Sequence, residues 1–286
     1  MAPGSSGELP VLAFGAVLAL GLCPPTPAQS VTSDQALRLG SRQMVKLVIA
    51  QPLSSNRLEY DAIVPVHETA HQRYFIDAKG FVEQKPLLGS SSNTTPFQAF
   101  GQSVRVGVRT LQDHGQAFWG ASTGYDSLWL QGVYFQQAGA AFEYNTQSYQ
   151  FVLTAGLPFS SSRDQTSGHV PLASVNMQLS FPTGAPGLSV QPRMYVVGSH
   201  STGSAIGGQL QFTYSWDRTW SATLASSYDA LTGASGSLTF QVLLPQRSGT
   251  VASTIDPDLV NSFAGAVGNN GSRVIRLDKV PAASGN

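Results

Sequence analysis

Residues 208–245, GQLQFTYSWDRTWSATLASSYDALTGASGSLTFQVLLP, carry the clearest structural pattern in this chain. Leu210, Phe212 and Tyr214 alternate with glutamines and small hydroxyl residues, and the alternation resumes after breaks at 217–218 and 230–235. A period of two places apolar side chains on one face of a β-strand and polar side chains on the other. The segment therefore predicts three consecutive antiparallel strands.

These predicted strands suit a membrane better than water. Each is roughly nine to eleven residues long, which is the length that a tilted strand needs to cross a bilayer. Their polar faces carry Ser, Thr and Gln rather than Lys and Glu, as expected for a wet lumen behind a lipid-facing wall. Tyr214, Trp216 and Trp220 flank one break, where an interfacial aromatic girdle would lie. The alternative is a soluble β-sandwich or lipocalin-like barrel.

Composition supports an all-β membrane protein. Charged residues make up 11% of the 286 residues, against about 25% in soluble proteins. The formal net charge is zero, which gives no electrostatic basis for a nucleic-acid partner. We expect outer-membrane lipid and the barrel insertion machinery as partners, no soluble partner, and the outer membrane of a Gram-negative-type bacterium as the location.

The first 28 residues predict a cleaved signal peptide. An apolar run over 11–22 is too short to span a membrane and is followed by small residues, so cleavage after Ala28 or Ser30 is expected. The single cysteine, Cys23, would leave with the signal. An uncleaved anchor, a buried strand or lipidation of Cys23 are the alternatives.

The remaining chain divides into a periplasmic lead-in at 29–43, an outer-membrane barrel of about twelve strands at 44–245, and a low-complexity tail at 246–286. Gaps on one side of the predicted barrel are tight, and gaps on the other are mostly longer. This matches periplasmic turns and extracellular loops. The predicted turns are 68–71, 111–115, 145–148, 182–187 and 217–218, and the predicted loops are 52–56, 84–96, 126–132, 160–170, 199–205 and 230–235.

Charged residues are expected inside the barrel. The polar faces of the segments at 57–67 and 73–83 would meet in the lumen, where opposite charges can pair between strands. Arg105, Arg109 and Arg193 have two interpretations. They could favour anionic solutes in an open pore, or they could pair structurally with Asp61, Asp77 and Glu143.

Four segments resemble the inverse autotransporter β-domain, the translocator barrel of intimin and invasin, in the form found as stand-alone proteins in cyanobacteria. They are YDAIVPVHETAHQRYFIDAKGFVE at 60–83, VRVGVRTLQDHGQAFWGASTGY at 104–125, FQQAGAAFEYNTQSYQFVLTAGLPF at 135–159, and the closing strands at 207–245. The resemblance covers roughly 57–245. It implies a twelve-stranded outer-membrane barrel that passes a C-terminal passenger to the cell surface.

The tail departs from the long members of that family. Residues 246–286 are too few for an adhesin module, so the resemblance implies display of a short segment at most. Apolar residues at 255–267 and 274–280 could form a short lumenal plug or helix, or the whole tail could be disordered. The alternative function is a small porin or passive channel.

One motif has a chemical reading. His67-Glu68-Thr69-Ala70-His71 matches the H-E-x-x-H pattern of zinc proteases, which works because a helix puts both histidines on one face. Here Pro65 precedes the motif, strands flank it, and it falls on a predicted tight turn. A zinc hydrolase is therefore the least favoured alternative, and we predict no enzyme activity, catalytic residue, metal or cofactor.

Overall fold

The computed structural model describes part of the chain: residues 41–51, 56–69, 71–84, 97–112, 116–130, 133–159, 169–199, 203–231, 233–244 and 276–279. No helix in these ranges is long and apolar enough to cross a membrane. The predicted signal peptide and the tail residues 255–267 lie outside them.

Every regular element in the described ranges is a β-strand, numbered here in chain order. The bounds are β1 Arg42–Gln51, β2 Asn56–Glu68, β3 Gln72–Gln84, β4 Phe97–Gln112, β5 Ala117–Leu130, β6 Val133–Thr146, β7 Gln150–Pro158, β8 His169–Pro182, β9 Leu188–Ser199, β10 Gly203–Ser215, β11 Trp220–Asp229, β12 Gly233–Leu243 and β13 Arg276–Lys279.

The first twelve strands form a closed ring. Each pairs antiparallel with the next along the chain, and β1 pairs with β12 in a register from Met44↔Leu243 to Gln51↔Gly236. Closure leaves neither of these two strands as a free edge, which would expose unpaired backbone groups. The prediction of an all-β, transmembrane, antiparallel up-and-down barrel of about twelve strands is confirmed.

The two faces of the wall follow the period of two. Outward side chains such as Leu210, Phe212 and Leu224 are apolar and 43–60% exposed, as expected of a surface that contacts lipid. Tyr214 and Trp216 are exposed beside the 216–219 turn and contact each other edge to face at 5.5 Å. The predicted aromatic girdle is therefore present at this end of the wall.

The barrel has two distinct ends. We call the end at which β1 begins and β12 stops the turn end, and the opposite end the loop end. All turn-end connections are short, whereas the two longest connections, 85–96 and 159–168, are at the loop end. Short turns on the periplasmic side and longer loops outside are typical of outer-membrane barrels.

Several predicted loop-end gaps were too wide. The predicted loop at 126–132 is wrong because β5 continues to Leu130, and only 131–132 connect it to β6. Asp126, a residue that usually favours a turn, faces inward in this strand and accepts a hydrogen bond from Ser103. β10 and β12 likewise begin at Gly203 and Gly233, within the predicted gaps 199–205 and 230–235.

The thirteenth strand is not one of the twelve that close the ring. β13 pairs antiparallel with the first residues of β8, from Arg276↔Leu172 to Lys279↔His169. The start of β8 is at the loop end, whereas β12 stops at the turn end. The C-terminal segment therefore reaches the end of the barrel opposite to the point where the wall finishes. Within the predicted plug or helix at 274–280, residues 276–279 form this strand and are therefore not helical.

Candidate functional site: the barrel lumen

The lumenal wall has two chemically different parts. The charged sector is the inward face of β1–β6, and the uncharged sector is the inward face of β10–β12. Strands β10, β11 and β12 together carry one charged residue, Asp229. The charged sector holds buried cations and carboxylates that are each at most 6% exposed: Lys46, Arg57, Glu59, Asp61, Arg73, Asp77, Glu83, Arg109, Asp126 and Glu143.

Arg109 and Glu143 form the best-defined ion pair of the charged sector. Arg109 Nε donates to Glu143 Oε1 at 2.6 Å, and its Nη2 donates to Oε2 at 3.1 Å. This two-point contact spans β5, where a Cβ on Gly120 would lie 2.6 Å from Glu143 Oε1. The guanidinium also lies 4.8 Å from the ring centre of Phe75. The pairing predicted for Arg109 is confirmed.

Asp126 organises a second polar cluster. It accepts hydrogen bonds from Ser103 Oγ at 2.5 Å and from Gln137 Nε2 at 3.2 Å, and it lies 3.5 Å from Arg105 Nη2. The partners predicted for Arg105 were therefore wrong. The alternation of β5 could have revealed that Asp126 faces the lumen, because it is an even number of residues from Gly120, which also faces inward.

The third cluster joins β1, β2 and β3. Lys46 Nζ lies 3.8 Å from Glu59 and 3.7 Å from Asp61, and Lys79 Nζ lies 3.8 Å from Asp61. Arg57 Nη2 contacts Glu59 Oε1 at 2.6 Å. The prediction that the charged faces of two strands meet in the lumen is confirmed, and β1 contributes to the same cluster.

Apolar side chains fill the loop end of the charged sector. Phe81, Leu128 and Phe135 are at most 1% exposed and pack with Ala99 and Leu130. The sequence analysis assigned the inward positions of β3 to charged residues and missed Phe81. Phe81 lies two residues after Lys79 and therefore on the same face of the strand. Together with the ion pairs, these residues make the inward side of this part of the wall a closely packed, buried layer.

Arg193 of β9 lies between the two sectors. It donates to Asn176 Oδ1 at 2.8 Å and to Gln209 Oε1 at 3.3 Å. Its observed acceptors are amides rather than the predicted carboxylates. The neighbouring Tyr195 donates to Asp229 Oδ2 at 2.8 Å across β10, so the single carboxylate of the uncharged sector has a close partner.

The uncharged sector is lined by hydroxyl and amide groups. Thr213 and Thr223 share a hydrogen bond at 2.8 Å, and Ser227 and Ser235 share one at 2.7 Å. Gln211 and Thr239 are buried, but many inward side chains of this sector are not. Those that are half-buried are Gln209, Thr213, Ser221, Thr223, Ser227, Ser237 and Gln241.

The H-E-x-x-H motif spans the end of β2 and the turn that follows it: His67 and Glu68 are the last residues of the strand and pair with Tyr74 and Arg73 of β3. Thr69 accepts a hydrogen bond from the Gln72 backbone N–H at 3.0 Å, and its own N–H donates to Gln72 O at 2.8 Å. Glu68 lies 3.5 Å from Arg73 Nε, and His67 is exposed. The helical geometry of the protease motif is therefore lacking. In the described residues, no group of three or more His, Cys, Asp or Glu could hold a metal ion.

Comparison with known proteins identifies the fold. No family model matches the chain, and no curated protein matches it. A membrane protein solved in a study of in-meso crystallization has a TM-score of 0.60 at 10% identity, covering 83% of this chain and 100% of that one.

Two further solved barrels are less similar. The KdgM porin has a TM-score of 0.47 at 10% identity, covering 72% of this chain and 99% of that one. An outer membrane channel from Pseudomonas putida F1 has a TM-score of 0.49 at 8% identity, covering 76% and 100%. At these identities only the fold is informative. The closed ring, the apolar outer face and the charged, hydroxyl-rich lumen make this chain an outer-membrane β-barrel.

Proposed function

We propose that the barrel carries its own C-terminal segment across the outer membrane and holds it at the loop end. The position of β13 supports this proposal. β12 stops at the turn end at Leu243, whereas β13 pairs with the start of β8 at the loop end. The residues between them must connect the two ends of the barrel.

The lumen is the route that physical chemistry favours. A path outside the wall would expose peptide groups to hydrocarbon, at a cost of several kcal/mol for each unsatisfied group. About 30 residues can extend to roughly 100 Å, whereas the apolar band of such a barrel is about 25 Å tall. The connection is therefore long enough to cross with slack.

This function agrees with the sequence resemblance to inverse autotransporter barrels. In that family the barrel passes a C-terminal passenger outward, and here the passenger would be reduced to the tail at 246–286. The barrel insertion machinery remains the expected assembly partner. We also propose that the chain has no enzymatic role.

Single-channel conductance in a planar bilayer tests the proposal. We expect low conductance from the complete mature protein and a several-fold increase after truncation following Leu244, because removal of the segment frees the lumen. Truncation after Lys279 keeps β13 and is the matched control, so it should conduct like the complete protein. Equal conductance from all three forms would contradict the proposal.

A small passive channel is the second candidate function. Its support is the uncharged sector, whose half-buried hydroxyl and amide groups are suited to a hydrated path. Two of the solved barrels described above are named as a porin and a channel. These names favour the channel candidate. A passive channel would conduct to the same extent with and without the tail.

A further inference from the structure

The turn between β10 and β11 presents positive charge at the surface of the barrel. Arg218 is exposed in the middle of this turn, which comprises residues 216–219. The other lysines and arginines whose exposure the structure describes are buried or half-buried: Arg42, Lys46, Arg57, Arg73, Lys79, Arg105, Arg109 and Arg193. Arg218 is therefore the single exposed cation of this set, and it lies at the turn end.

Backbone hydrogen bonds and Asp217 fix the shape of the turn. The Trp216 N–H donates to the Trp220 carbonyl at 3.2 Å across its base. Asp217 Oδ1 accepts hydrogen bonds from the backbone N–H groups of Thr219 at 2.6 Å and Trp220 at 2.8 Å. Among the ion pairs of the described residues, none joins Asp217 to Arg218. The aspartate thus serves the turn backbone, and no close carboxylate compensates the Arg218 charge.

Aromatic side chains place this turn at the level of the lipid headgroups. Trp216 and Trp220 flank Arg218 in the chain and are 56% and 52% exposed. Tyr214 contacts Trp216 edge to face. Trp and Tyr are enriched where a membrane meets water, because their rings are apolar and their N–H or O–H groups are polar. Arg218 therefore lies at the depth of the lipid phosphates.

The charge of Arg218 selects one class of lipid. The turn end is on the periplasmic side, so the lipids that contact it are phospholipids of the inner leaflet. A guanidinium donates two parallel hydrogen bonds to a phosphate group. In an anionic phospholipid no cationic group of the same headgroup competes for that phosphate, whereas a zwitterionic lipid carries its own ammonium group.

We propose that Trp216, Arg218 and Trp220 form a binding site for the headgroup of an anionic phospholipid. The Arg218 guanidinium donates to the phosphate, and the two indole rings contact the glycerol region beside it. This site goes beyond the proposed function, because it does not depend on the route of the C-terminal segment. It holds the turn between β10 and β11 at the inner leaflet.

Quenching of tryptophan fluorescence by brominated lipids tests the site. The chain has four tryptophans, and Trp119→Phe with Trp129→Phe leaves Trp216 and Trp220 as reporters. The complete mature protein is refolded in phosphatidylcholine vesicles that contain brominated phosphatidylglycerol or, in a parallel sample, brominated phosphatidylcholine. We expect phosphatidylglycerol to bind about fivefold more tightly beside these reporters, which is the effect of one arginine at an anionic surface.

A second reporter and two substitutions provide the controls. Trp119 is the matched reporter, since it is at the turn end of β5, and it remains alone when Trp129, Trp216 and Trp220 are replaced by phenylalanine. We expect equal binding of both lipids beside it. Arg218→Gln should abolish the preference at the turn, whereas Arg218→Lys keeps the charge and should retain most of it. A shift on heating in gel electrophoresis confirms that each variant is folded.

Three results would overturn the proposal. The first is equal binding of the two lipids beside Trp216 and Trp220. The second is an unchanged preference in Arg218→Gln, because the preference would then arise elsewhere on the barrel. The third is a preference of the same size beside Trp119, which would indicate a general attraction of the barrel for anionic lipid rather than a site at this turn.

Discussion

Replacement of Glu143 by alanine should destabilise the barrel strongly. Glu143 accepts two hydrogen bonds from Arg109, at 2.6 and 3.1 Å, and the two side chains are 3% and 0% exposed. Alanine at this position would leave the Arg109 guanidinium buried without its closest carboxylate. Breaking a buried pair by removal of one partner costs about 3–5 kcal/mol.

The size of this free-energy cost follows from the burial of the charge that is left behind, rather than from the strength of the ion pair. Because neither group contacts bulk water, little solvent screening reduces the cost. Glu143→Gln keeps the shape and an acceptor oxygen, so its loss should be smaller, about 1.5–3 kcal/mol. Combination of Arg109→Met with Glu143→Leu removes both charges and should lie within about 1 kcal/mol of the native barrel.

Urea unfolding of the refolded barrel in lipid vesicles measures these free energies, with unchanged m-values as the sign of a common unfolding reaction. A loss of about 3 kcal/mol raises the unfolding constant more than ~100-fold, which is easily resolved. A loss under ~1 kcal/mol for Glu143→Ala, or a double variant no more stable than the single one, would refute the reasoning.

Three further predictions follow from the wall. Gly101→Ala should cost about 1–3 kcal/mol by overpacking, since its Cβ would overlap the buried Phe81 ring. Gly208→Ala should change stability by less than ~0.5 kcal/mol, because the nearest atom to its Cβ would be the Arg193 carbonyl oxygen at 4.0 Å. Leu224→Arg should cost about 2–4 kcal/mol, because Leu224 faces lipid in the middle of its strand. His67→Ala should leave folding and metal content unchanged, because the H-E-x-x-H segment is a strand end and a turn rather than a helix.

Each of these has a simple readout and control. Unfolding in urea measures the two glycine variants, and equal losses would contradict the assigned faces. Leu224→Ile is the control for the arginine variant, and a stable arginine barrel would argue against a lipid contact there. Elemental analysis of the purified protein measures zinc. Stoichiometric zinc that is lost in His67→Ala would reverse our view of the motif and of enzymatic activity.

Alternation was sufficient to predict the barrel, its strand number and the lumenal location of most charges. It works because a period of two and a strand length of nine residues or more are dictated by the wall itself. The boundaries were less predictable. Asp126 marks a turn in most sequences, but here Ser103 and Gln137 hydrogen-bond to its carboxylate and keep it in a strand.

The finer features of the lumen depend on contacts between strands that are not adjacent in sequence. Arg109 reaches Glu143 only because Gly120 between them has no side chain. The pairing of Arg276–Lys279 with β8 has no local signal either, since the tail composition is compatible with disorder, a helix or a strand. Such features require the register of the whole ring.

Protease accessibility of a tag placed after Asn286 tests the central claim most directly. Intact cells and lysed cells that express the complete protein are treated with the same protease, and a periplasmic protein serves as the control for membrane integrity. If the C-terminal segment crosses the barrel, the tag is cleaved in intact cells. Protection of the tag until lysis would contradict the claim and leave a barrel whose tail remains on the periplasmic side.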